Sequence, residues 1–390
     1  MKFKKTIIFP IAGFGNRFVE KGYYQTKPLI HAGSKTIIEW AVDSIRVREE
    51  YDLIFVVRKQ QCLQNGIDSF LKNKYPNCKI VILTKSTDGS LETIYLALNE
   101  LNIKDGQLFI HTSDIVVPQK IDLEKTFLGN EEAVTYTFKA NNNSYSYCNF
   151  ATNSEDKIIG MVEKEVVSNK ANIGLYGFKS VGLFLKYAES IFNKKEKVKG
   201  EYYVSSVFDY YFKANRLVIA KEVPEVHIIG TPVELEFFKN FVLRTMNPTK
   251  IGLVSDHSGF HFKKKLMKIF DKKYKIIDYG CYSTENCDYS DYIPIACEGL
   301  AESEVDLVIA SCFSGQGVTI SANHIKGVCA INAYDKEAII LGRKHNCPNF
   351  IAFPSMRWNA YQAYQSFIDA YEIEHFEGGR HSSRLQKVLF

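Results

Sequence analysis

The 390-residue sequence has no CxxC pair and no cysteine–histidine spacing typical of a zinc site, although it contains nine cysteines. An odd number of cysteines without these patterns favours reduced thiols over a disulfide framework or a structural zinc ion. We therefore expect a cytoplasmic protein in which most cysteines serve as small core side chains.

Long apolar runs are missing as well. The first apolar run, residues 6–12, is short and leads into glycines, which predicts a buried β-strand rather than a signal peptide. Later runs are too short to cross a bilayer, so we predict no membrane insertion. Lysine and arginine form no dense stripe, and a formal net charge of +5 is small for this length. This charge favours anionic small-molecule substrates and gives no reason to expect a nucleic-acid partner.

What the sequence does contain is an alternation of β-branched runs with stretches of helical periodicity. In the first half, strands are predicted at residues 6–12, 51–58, 79–84, 107–113 and 133–140, with helices at 36–50 and 91–101. This alternation predicts an α/β fold. We expect mostly parallel, doubly wound sheets with helices on both faces.

A polar stretch at residues 243–250 interrupts the alternation, which restarts at residue 250. Further strands are predicted at residues 275–280, 306–311, 327–333 and 349–354. The chain is also too long for one ordinary core. We therefore predict two domains, residues 1–246 and residues 250–390, each with its own Rossmann-like sheet.

The first predicted strand leads into a loop with Gly13, Gly15 and Arg17, and Lys27-Pro28-Leu29 follows ten residues later. Backbone N–H groups of a glycine loop can approach a triphosphate, and cationic side chains neutralise its charge. Two glycines in a turn more often serve only the backbone. Together with Arg17 and the Lys-Pro-Leu triplet, however, the loop resembles that of the sugar nucleotidyltransferase superfamily.

Further resemblance to this superfamily extends over most of residues 5–240, and it implies a role for each matching residue. Arg17 and Lys27 would stabilise charge, and Asp114 would bind Mg²⁺. The nucleotide would be bound by Ala12, Gly13, Gly15, Asp88 and Gly89. The sugar would be bound by Glu163, Lys164 and Asn172. A carboxylate at the end of a strand is a natural Mg²⁺ ligand beside phosphates. Without the glycine loop, Asp114 would be read as a helix cap or turn residue.

One position departs from the sugar-1-phosphate branch of the superfamily. That branch carries a second metal-binding Asp before a Gly-Thr pair, where this sequence has Ile228. We expect either that His227 or another carboxylate substitutes, or that one metal ion suffices. The pattern is more similar to cytidylyl- and guanylyltransferase-like proteins linked to capsule and surface-polysaccharide assembly. The nucleotide is left open, with CTP as the working hypothesis.

The second half carries five short motifs in one order. These are Ser255-Asp256-His257-Ser258-Gly259, Asp288-Tyr289-Ser290-Asp291-Tyr292, Ser311-Cys312-Phe313-Ser314-Gly315-Gln316-Gly317, Lys344-His345-Asn346 and Gly378-Gly379-Arg380-His381-Ser382-Ser383-Arg384. They resemble the family of ribose-5-phosphate isomerase B and galactose-6-phosphate isomerase. Aldose–ketose isomerisation requires ring opening and a base that moves a proton between C1 and C2.

The resemblance assigns the proton transfer to Cys312 and stabilisation of the enediolate to the turn from Ser314 through Gly315 to Gly317. It also implies that His345 opens the sugar ring and that Asn346 holds a substrate oxygen. Asp256 and His257 would contact the sugar, and Arg380 and Arg384 would bind the phosphate. Backbone N–H groups in the turn are also expected to lower the pKa of the Cys312 thiol. Taken alone, a cysteine after an apolar strand is usually a core side chain.

Phe313 and Tyr334 depart from the isomerase pattern, because relatives usually have glycine at the first position and His or Asn at the second. The sugar phosphate is therefore left open. In this family each active site is built across a dimer, which implies a homodimer or higher oligomer formed through the C-terminal domain.

Two hypotheses follow for the whole chain. In the first, it is a bifunctional enzyme that interconverts an aldose and a ketose phosphate and transfers a nucleotidyl group from an NTP to a sugar phosphate. In the second, only the transferase is active, and the isomerase-like domain is a silent module for dimerisation or ligand sensing. The presence of Cys312 favours the first, since a binding module has no need of it. A regulatory or structural role for both halves is disfavoured by the intact glycine loop.

Overall fold

The computed structural model describes residues 4–152 and 154–389. The chain divides into two compact units, Met1–Pro232 and Val233–Phe390. In the described part of the chain, no helix combines the length and apolar composition needed to cross a membrane.

The first unit contains a mixed sheet with a parallel centre. The strands of the unit are β1 (Lys5–Pro10), β2 (His31–Ala32), β3 (Lys35–Thr36), β4 (Asp52–Arg58), β5 (Lys79–Leu83), β6 (Gln107–His111), β7 (Ile115–Val116), β8 (Ala133–Lys139), β9 (Ser146–Phe150), β10 (Ile158–Glu163), β11 (Lys170–Phe178), β12 (Val218–Glu222) and β13 (His227–Ile228). Outside the mixed sheet, β2 pairs with β3 and β7 pairs with β13. The main order is β10-β9-β11-β6-β1-β4-β5, and β8 joins β11 and β12. Strands β6, β1, β4 and β5 run parallel, whereas β11 is antiparallel to β6.

Helices of the first unit cover both faces of this sheet. They are α1 (Asn16–Glu20), α2 (Ile37–Asp43), α3 (Lys59–Asn65), α4 (Ile67–Lys74), α5 (Ser90–Glu100), α6 (Val181–Lys194) and α7 (Ser206–Lys213), with 3₁₀ turns at Lys27–Leu29 and Leu123–Lys125. Alternate residues of β1 enter different cores, since Ile8 packs in one cluster and Ile7 and Phe9 in another. This period of two, apolar on both sides, is typical of a parallel sheet covered on both faces.

The α2 helix is shorter than the predicted helix at residues 36–50. Thr36 caps its start, and its hydroxyl and backbone exchange hydrogen bonds with Glu39. The helix ends at Asp43 because Ile45 pairs with Ile121 in an isolated bridge. Tertiary pairing therefore overrides the helical periodicity of residues 44–50.

The second unit holds a five-stranded sheet, counted over the described residues. Its strands are β14 (Lys250–Ser255), β15 (Lys275–Asp278), β16 (Leu307–Cys312), β17 (Ala330–Asn332) and β18 (Phe350–Pro354). The order is β15-β14-β16-β18-β17, and every pair is parallel. Two apolar clusters lie on opposite faces, with Leu253 and Ile309 in one and Val254 and Val308 in the other.

Helices surround this second sheet. They are α8 (Pro232–Phe237), α9 (Arg244–Met246), α10 (Phe260–Phe270), α11 (Tyr289–Ala301), α12 (Gln316–Asn323), α13 (Lys336–Asn346), α14 (Ala360–Ile368) and α15 (Gly379–Leu389), with π-helical turns at Phe238–Leu243 and Asp369–Ile373 and a 3₁₀ turn at His257–Gly259. The predicted α/β fold, with mostly parallel sheets and helices on both faces, is confirmed.

The compact units divide the chain earlier than the predicted domain boundary at 246–250. Residues 233–246 pack on the second unit: the Thr245 hydroxyl lies 3.2 Å from the Cys347 sulfur, and Arg343 donates to it at 3.1 Å. The Phe237 ring lies 6.0 Å from that of Phe376. The polar stretch therefore separates a helix from a strand inside one unit.

Candidate active sites

The carboxyl ends of the parallel strands in the first unit lie at one edge of the sheet. The glycine loop follows β1, Asp88 and Gly89 follow β5, and Asp114 follows β6. Strand β1 lies between β4 and β6. The chain adds β4 and β5 on one side of β1 and then crosses over to add β6 on the other side. Ligands of open α/β sheets bind at such a switch point.

Asp114 and Lys27 form the charged centre of this edge. The Lys27 ammonium lies 2.6 Å from Oδ1 of Asp114, and the Ser113 hydroxyl donates to the same oxygen at 3.3 Å. Burial raises the pKa of Asp114, but the nearby charges of Lys27 and Arg17 and these hydrogen bonds together hold the pKa below its usual value. Asp114 is therefore ionised at neutral pH.

The glycine loop lies against the Lys27 segment. Gly15 has a φ of 67°, and a Cβ added there would lie 3.1 Å from Cβ of Lys27. Gly13 is exposed, and a Cβ added to it would meet no atom within 4 Å. Gly15 thus serves a tight turn, whereas Gly13 leaves its backbone open to a ligand. Arg17, in α1, is exposed.

Arg58 and Gln61, which the sequence analysis did not single out, hold this loop in place. Arg58 donates from Nε to the Ala12 carbonyl at 2.6 Å and from Nη2 to the Gly13 carbonyl at 3.4 Å. Its guanidinium also lies 3.9 Å from the centre of the Phe14 ring. The buried amide of Gln61 donates to the Ile11 carbonyl and to the Thr26 hydroxyl. The predicted nucleotide contact Ala12 is buried, and its carbonyl is occupied by Arg58.

The turn at Asp88 and Gly89 is held by a neighbouring segment of the same unit. Tyr202 donates from its backbone to the Asp88 carbonyl at 2.7 Å, and Lys197 pairs with the Asp88 carboxylate at 2.6 Å. Gly89 has a φ of 139°, and a Cβ there would lie 2.4 Å from the Tyr202 carbonyl oxygen. Only glycine fits at this close approach.

Two of the three predicted sugar-binding residues lie at the end of β10. Glu163 accepts hydrogen bonds from the Ser146 and Ser205 hydroxyls. Lys164 donates to the Tyr203 hydroxyl at 2.9 Å, and this hydrogen bond raises the pKa of Lys164. Both side chains are only partly buried, so they remain available to a polar substrate.

Asn172 differs from the prediction of a sugar contact. Its side chain is buried and hydrogen-bonded inside the sheet, donating to the Thr135 hydroxyl and accepting from the Gly174 backbone. These bonds lie where the pairing of β11 with β8 shifts register. We therefore interpret Asn172 as a residue that shapes β11 rather than one that touches substrate.

Ile228 lies beside Asp114, at the position where the sequence analysis notes a second metal-binding Asp in the sugar-1-phosphate branch. It pairs with Ile115 in the β13–β7 ladder, and the Ile229 N–H donates to the Asp114 carbonyl at 2.8 Å. His227 does not replace the missing carboxylate, since its side chain is buried and lies 3.0 Å from Glu225. The fit to Mg²⁺ therefore depends on Asp114, which is ionised and partly exposed. One carboxylate suits this ion, because Mg²⁺ keeps several waters and takes substrate phosphates as ligands.

In the second unit, the carboxyl edge of the sheet brings together Asp256, His257 and Cys312. Asp256, at the end of β14, is buried and accepts from the Ser258 hydroxyl at 2.6 Å and the Gly259 N–H at 3.0 Å. Its own N–H donates to the Ser311 carbonyl, which precedes Cys312. The imidazole Nδ1 of His257 lies 3.1 Å from the carbonyl oxygen of Cys287.

Cys312 is buried at the end of β16, and the Gly315 N–H donates to its sulfur at 3.2 Å. The expectation of a lowered thiol pKa is wrong. Burial raises the pKa of Cys312, the charge of Asp256 adds to this, and backbone hydrogen bonds from the following turn oppose it without reversing it. The thiol is therefore protonated at neutral pH in the free protein.

The turn after Cys312 is shaped by two further residues that the motif did not assign. Asn332 donates from its amide to the Ser314 carbonyl at 3.2 Å, and a Cβ on Gly315, whose φ is 74°, would lie 2.7 Å from the Asn332 oxygen. A Cβ on Gly317 would lie 2.5 Å from the Tyr289 ring. These contacts fix the backbone of the turn where α12 begins.

His345 and Asn346 lie at the opposite edge of the same sheet. They end α13, and β18 begins only four residues after Asn346, so the helix terminus lies beside the amino ends of the strands. Cys312 ends β16, a strand of six residues. At about 3.3 Å per residue, roughly 15–20 Å separates the two edges. One chain therefore does not bring His345 to its own Cys312.

His345 belongs instead to a cluster at the start of α15. Its ring stacks on that of His381 with centroids 4.4 Å apart, and each imidazole lies 3.7 Å from the Glu377 carboxylate. Burial and the neighbouring charges of His345 and Arg380 lower the pKa of His381 to about 4. Arg380, which is partly exposed, donates from Nε to His381 at 3.4 Å, and Arg384 is exposed.

Comparison with known proteins identifies both halves. Residues 5–222 match the family model described as Nucleotidyl transferase. The chain belongs to the nucleotidyl transferase family. Residues 251–388 of this nucleotidyl transferase match a second model, described as Ribose/Galactose Isomerase. The protein is therefore an enzyme in which a sugar-phosphate nucleotidyltransferase is fused to a sugar-phosphate isomerase.

Individual relatives resemble one half each. Ribose-5-phosphate isomerase B of Escherichia coli K12 is 32% identical over 140 residues, which cover 36% of this chain and 93% of that protein. A crystal structure of a nucleoside-diphosphate-sugar pyrophosphorylase from Vibrio cholerae RC9 is 21% identical and covers 60% of this chain and 98% of its own, with a TM-score of 0.54. The second similarity supports the fold of the transferase half.

The two departures from the isomerase pattern lie at the surface of the nucleotidyl transferase's second unit. Phe313 is 63% exposed next to Cys312, so it does not fill the core and leaves the Cys312 turn intact. Tyr334 is 47% exposed and stacks on the Arg357 guanidinium at 3.9 Å. Both side chains therefore lie at the surface and outside the packed core.

Proposed function

We propose that the protein isomerises an aldose or ketose phosphate in its second unit and transfers a nucleotidyl group from an NTP to a sugar phosphate in its first. The observation that carries the proposal is that each unit presents a separate polar cluster at the carboxyl edge of its own sheet. Asp114 with Lys27 forms one, and Cys312 with Asp256 forms the other.

In the transferase, a phosphate oxygen of the sugar attacks the α-phosphorus of the NTP, and pyrophosphate leaves. This reaction needs positioning and charge neutralisation more than covalent catalysis. The open backbone at Gly13 would receive the phosphates, Arg17 and Lys27 would neutralise their charge, and Asp114 would hold Mg²⁺. When bound, this ion supplies further neutralisation of the triphosphate.

In the isomerase, Cys312 would move the proton between C1 and C2, and the N–H groups of the turn from Ser314 to Gly317 would stabilise the enediolate. Asp256 and His257 lie beside Cys312 and would hold the sugar. Because the pKa of the thiol is raised, Cys312 must first lose its proton. The Gly315 N–H stabilises the resulting thiolate.

A second copy of the chain would complete the isomerase site. Ring opening by His345 and phosphate binding by Arg380 and Arg384 require residues from the opposite edge of the sheet. A dimer that places this edge of one copy against the Cys312 edge of another supplies both sets. This arrangement explains why His345 and Cys312 lie apart within one chain.

A silent isomerase-like unit remains the second candidate. The exposed Phe313, where relatives usually have glycine, favours it. The turn after Cys312 disfavours it, because neighbouring side chains lie so close to Gly315 and Gly317 that a Cβ at either position would clash.

The biological setting follows from the fusion. A nearly balanced isomerisation is drawn forward if the transferase consumes its product, so we propose a nucleotide-activated sugar as the end product, with CTP as the donor and capsule or surface glycan as the destination. Nine free cysteines fit a reducing compartment such as the cytoplasm.

Paired variants test the two activities. Asp114→Asn should abolish pyrophosphate release from NTP and sugar phosphate with Mg²⁺, while aldose–ketose interconversion continues. Cys312→Ser should do the reverse. Asp105→Asn serves as the control, because this exposed carboxylate precedes β6 at the opposite edge of the sheet from Asp114, and it should retain both activities. If Cys312→Ser leaves both activities unchanged, the isomerase assignment fails.

A further inference from the structure

A pair of cysteines, Cys281 and Cys287, flanks a loop of the second unit that lies against the candidate isomerase site. Residues 282–286 between them are exposed, whereas Cys281 is buried and Cys287 is partly buried. The Cys281 thiol donates to the Ser283 carbonyl at 3.3 Å and lies 3.8 Å from the Ser255 hydroxyl, and it is close enough to Cys287 to raise the pKa of that thiol. Neither cysteine is in a disulfide.

Both ends of the loop are bound to the short segment that carries His257. The Cys281 N–H donates to the Ser255 carbonyl at 2.7 Å, and the Cys287 N–H donates to His257 Nδ1 at 3.2 Å. The Cys281 carbonyl accepts from the buried ammonium of Lys263 at 2.8 Å. The first cysteine is thus rigidly anchored, and the second contacts a side chain of the site.

We propose that Cys281 and Cys287 are an oxidative modification site, at which a reversible disulfide forms and displaces His257. The regulatory part of this proposal rests on the isomerase function proposed above. The oxidant is a low-molecular-weight disulfide such as glutathione disulfide. One protein thiolate attacks it and releases a glutathione thiol. The second protein thiol then displaces the other glutathione thiol, so that two protein thiols are oxidised and one disulfide is reduced.

The disulfide would move Cys287 more than Cys281. A bond of about 2 Å between the sulfurs is shorter than any approach of two unbonded sulfurs, and Cys281 is held by Ser255 and Lys263. The backbone of Cys287 therefore shifts towards Cys281, and the hydrogen bond that fixes the imidazole of His257 is lost or redirected. A displaced His257 no longer holds the sugar in position for Cys312.

The chemistry of the pair makes this oxidation faster in alkaline solution. Burial and the neighbouring thiol raise the pKa of Cys287, and the charge of Asp256 adds to this. Thiolate is the attacking species, so the rate of disulfide formation should rise as the pH increases from 7 towards 9. The raised pKa of Cys287 slows the oxidation at neutral pH, but it does not decide whether the disulfide can form.

The test uses the full chain, reduced and then incubated with glutathione disulfide. A glutamate-specific protease cuts after Glu285, between the two cysteines, so the two peptides stay joined only if the disulfide has formed. We expect joined peptides, an isomerase rate about tenfold lower, and recovery of both changes with dithiothreitol. Cys287→Ser should give no joined peptides, and its isomerase rate should be the same before and after incubation with glutathione disulfide. Cys62→Ser, which removes a partly buried thiol of the first unit, should behave as wild type.

Two results would overturn the proposal. The absence of joined peptides in oxidised wild type excludes the disulfide. Equal loss of activity in wild type and Cys287→Ser assigns the sensitivity to another thiol, such as Cys312. If the reduced protein isomerises no sugar phosphate, the proposed function fails, and the peptide assay still decides whether the disulfide forms.

Discussion

At the scale of single residues, the candidate transferase site depends on Arg58, a side chain for which the sequence predicts no substrate contact. Arg58 binds two carbonyls of the glycine loop and stacks on Phe14. These contacts need the planar, forked guanidinium, which a lysine does not supply. The position of the loop backbone, and with it the position of the triphosphate, therefore depends on Arg58.

Arg58→Lys should lower the kcat of nucleotidyl transfer about 10- to 100-fold, because small errors in positioning are costly. The charge is kept, so the loss reports position. Lys59→Ala, at the next and exposed position, is the matched control and should change kcat little. Equal rates for Arg58→Lys and wild type would show that the loop holds its position without Arg58.

The raised pKa of Cys312 gives a second prediction at this scale. Because the folded protein favours the neutral thiol, alkylation of Cys312 by iodoacetamide should be slow at pH 7 and should accelerate as the pH rises through 9 and beyond. Mass spectrometry of the peptide that contains Cys312 measures the rate, with unfolded protein as the reference. A rate that levels off below pH 8 would mean a lowered pKa.

The order of residue types predicts that Gly13, Asp114 and Cys312 follow strands, and the structure has them after β1, after β6 and at the end of β16. Residues that act through tertiary contact escaped prediction. Arg58, Gln61 and Asn332 are ordinary residues in the sequence, and only the fold brings them to a loop. Asn172 matched a motif, yet the register shift in β11 turns its side chain to the sheet.

At the scale of elements, the helical segment at residues 233–246 decides where the second unit begins. The polar stretch at residues 243–250 predicts a domain boundary, but the aromatic residues before it are buried. Phe237, Phe238 and Phe241 are each no more than 3% exposed. Composition alone did not reveal this, because a helix that packs on the next unit looks the same in sequence as one that ends the preceding unit.

A protein made of residues 233–390 should therefore unfold at a higher temperature than one made of residues 250–390. Each buried phenylalanine contributes about 1.5–3 kcal/mol, and removing the segment also uncovers the surface against which it packs. Thermal unfolding followed by circular dichroism measures the difference. Equal unfolding temperatures would place the segment outside the stable unit.

At the scale of the whole molecule, the separation of His345 from Cys312 predicts complementation between copies. Cys312→Ala and His345→Ala should each lack isomerase activity. If they are mixed after reversible dissociation, half of the dimers are mixed, and each of these holds one intact composite site. About a quarter of the wild-type activity should then return. No recovery, in a mixture that sedimentation shows to have exchanged subunits, would contradict the shared site.

The central claim is that one chain carries two active sites whose reactions join. The most direct measurement is pyrophosphate release by the full chain with Mg²⁺, across the four NTPs and a panel of matched aldose and ketose phosphates. The account predicts that one NTP responds to both members of one pair, and that Cys312→Ala abolishes the response to only one of them. If transfer occurs and Cys312→Ala changes neither response, the two sites are not coupled and the second unit has another role.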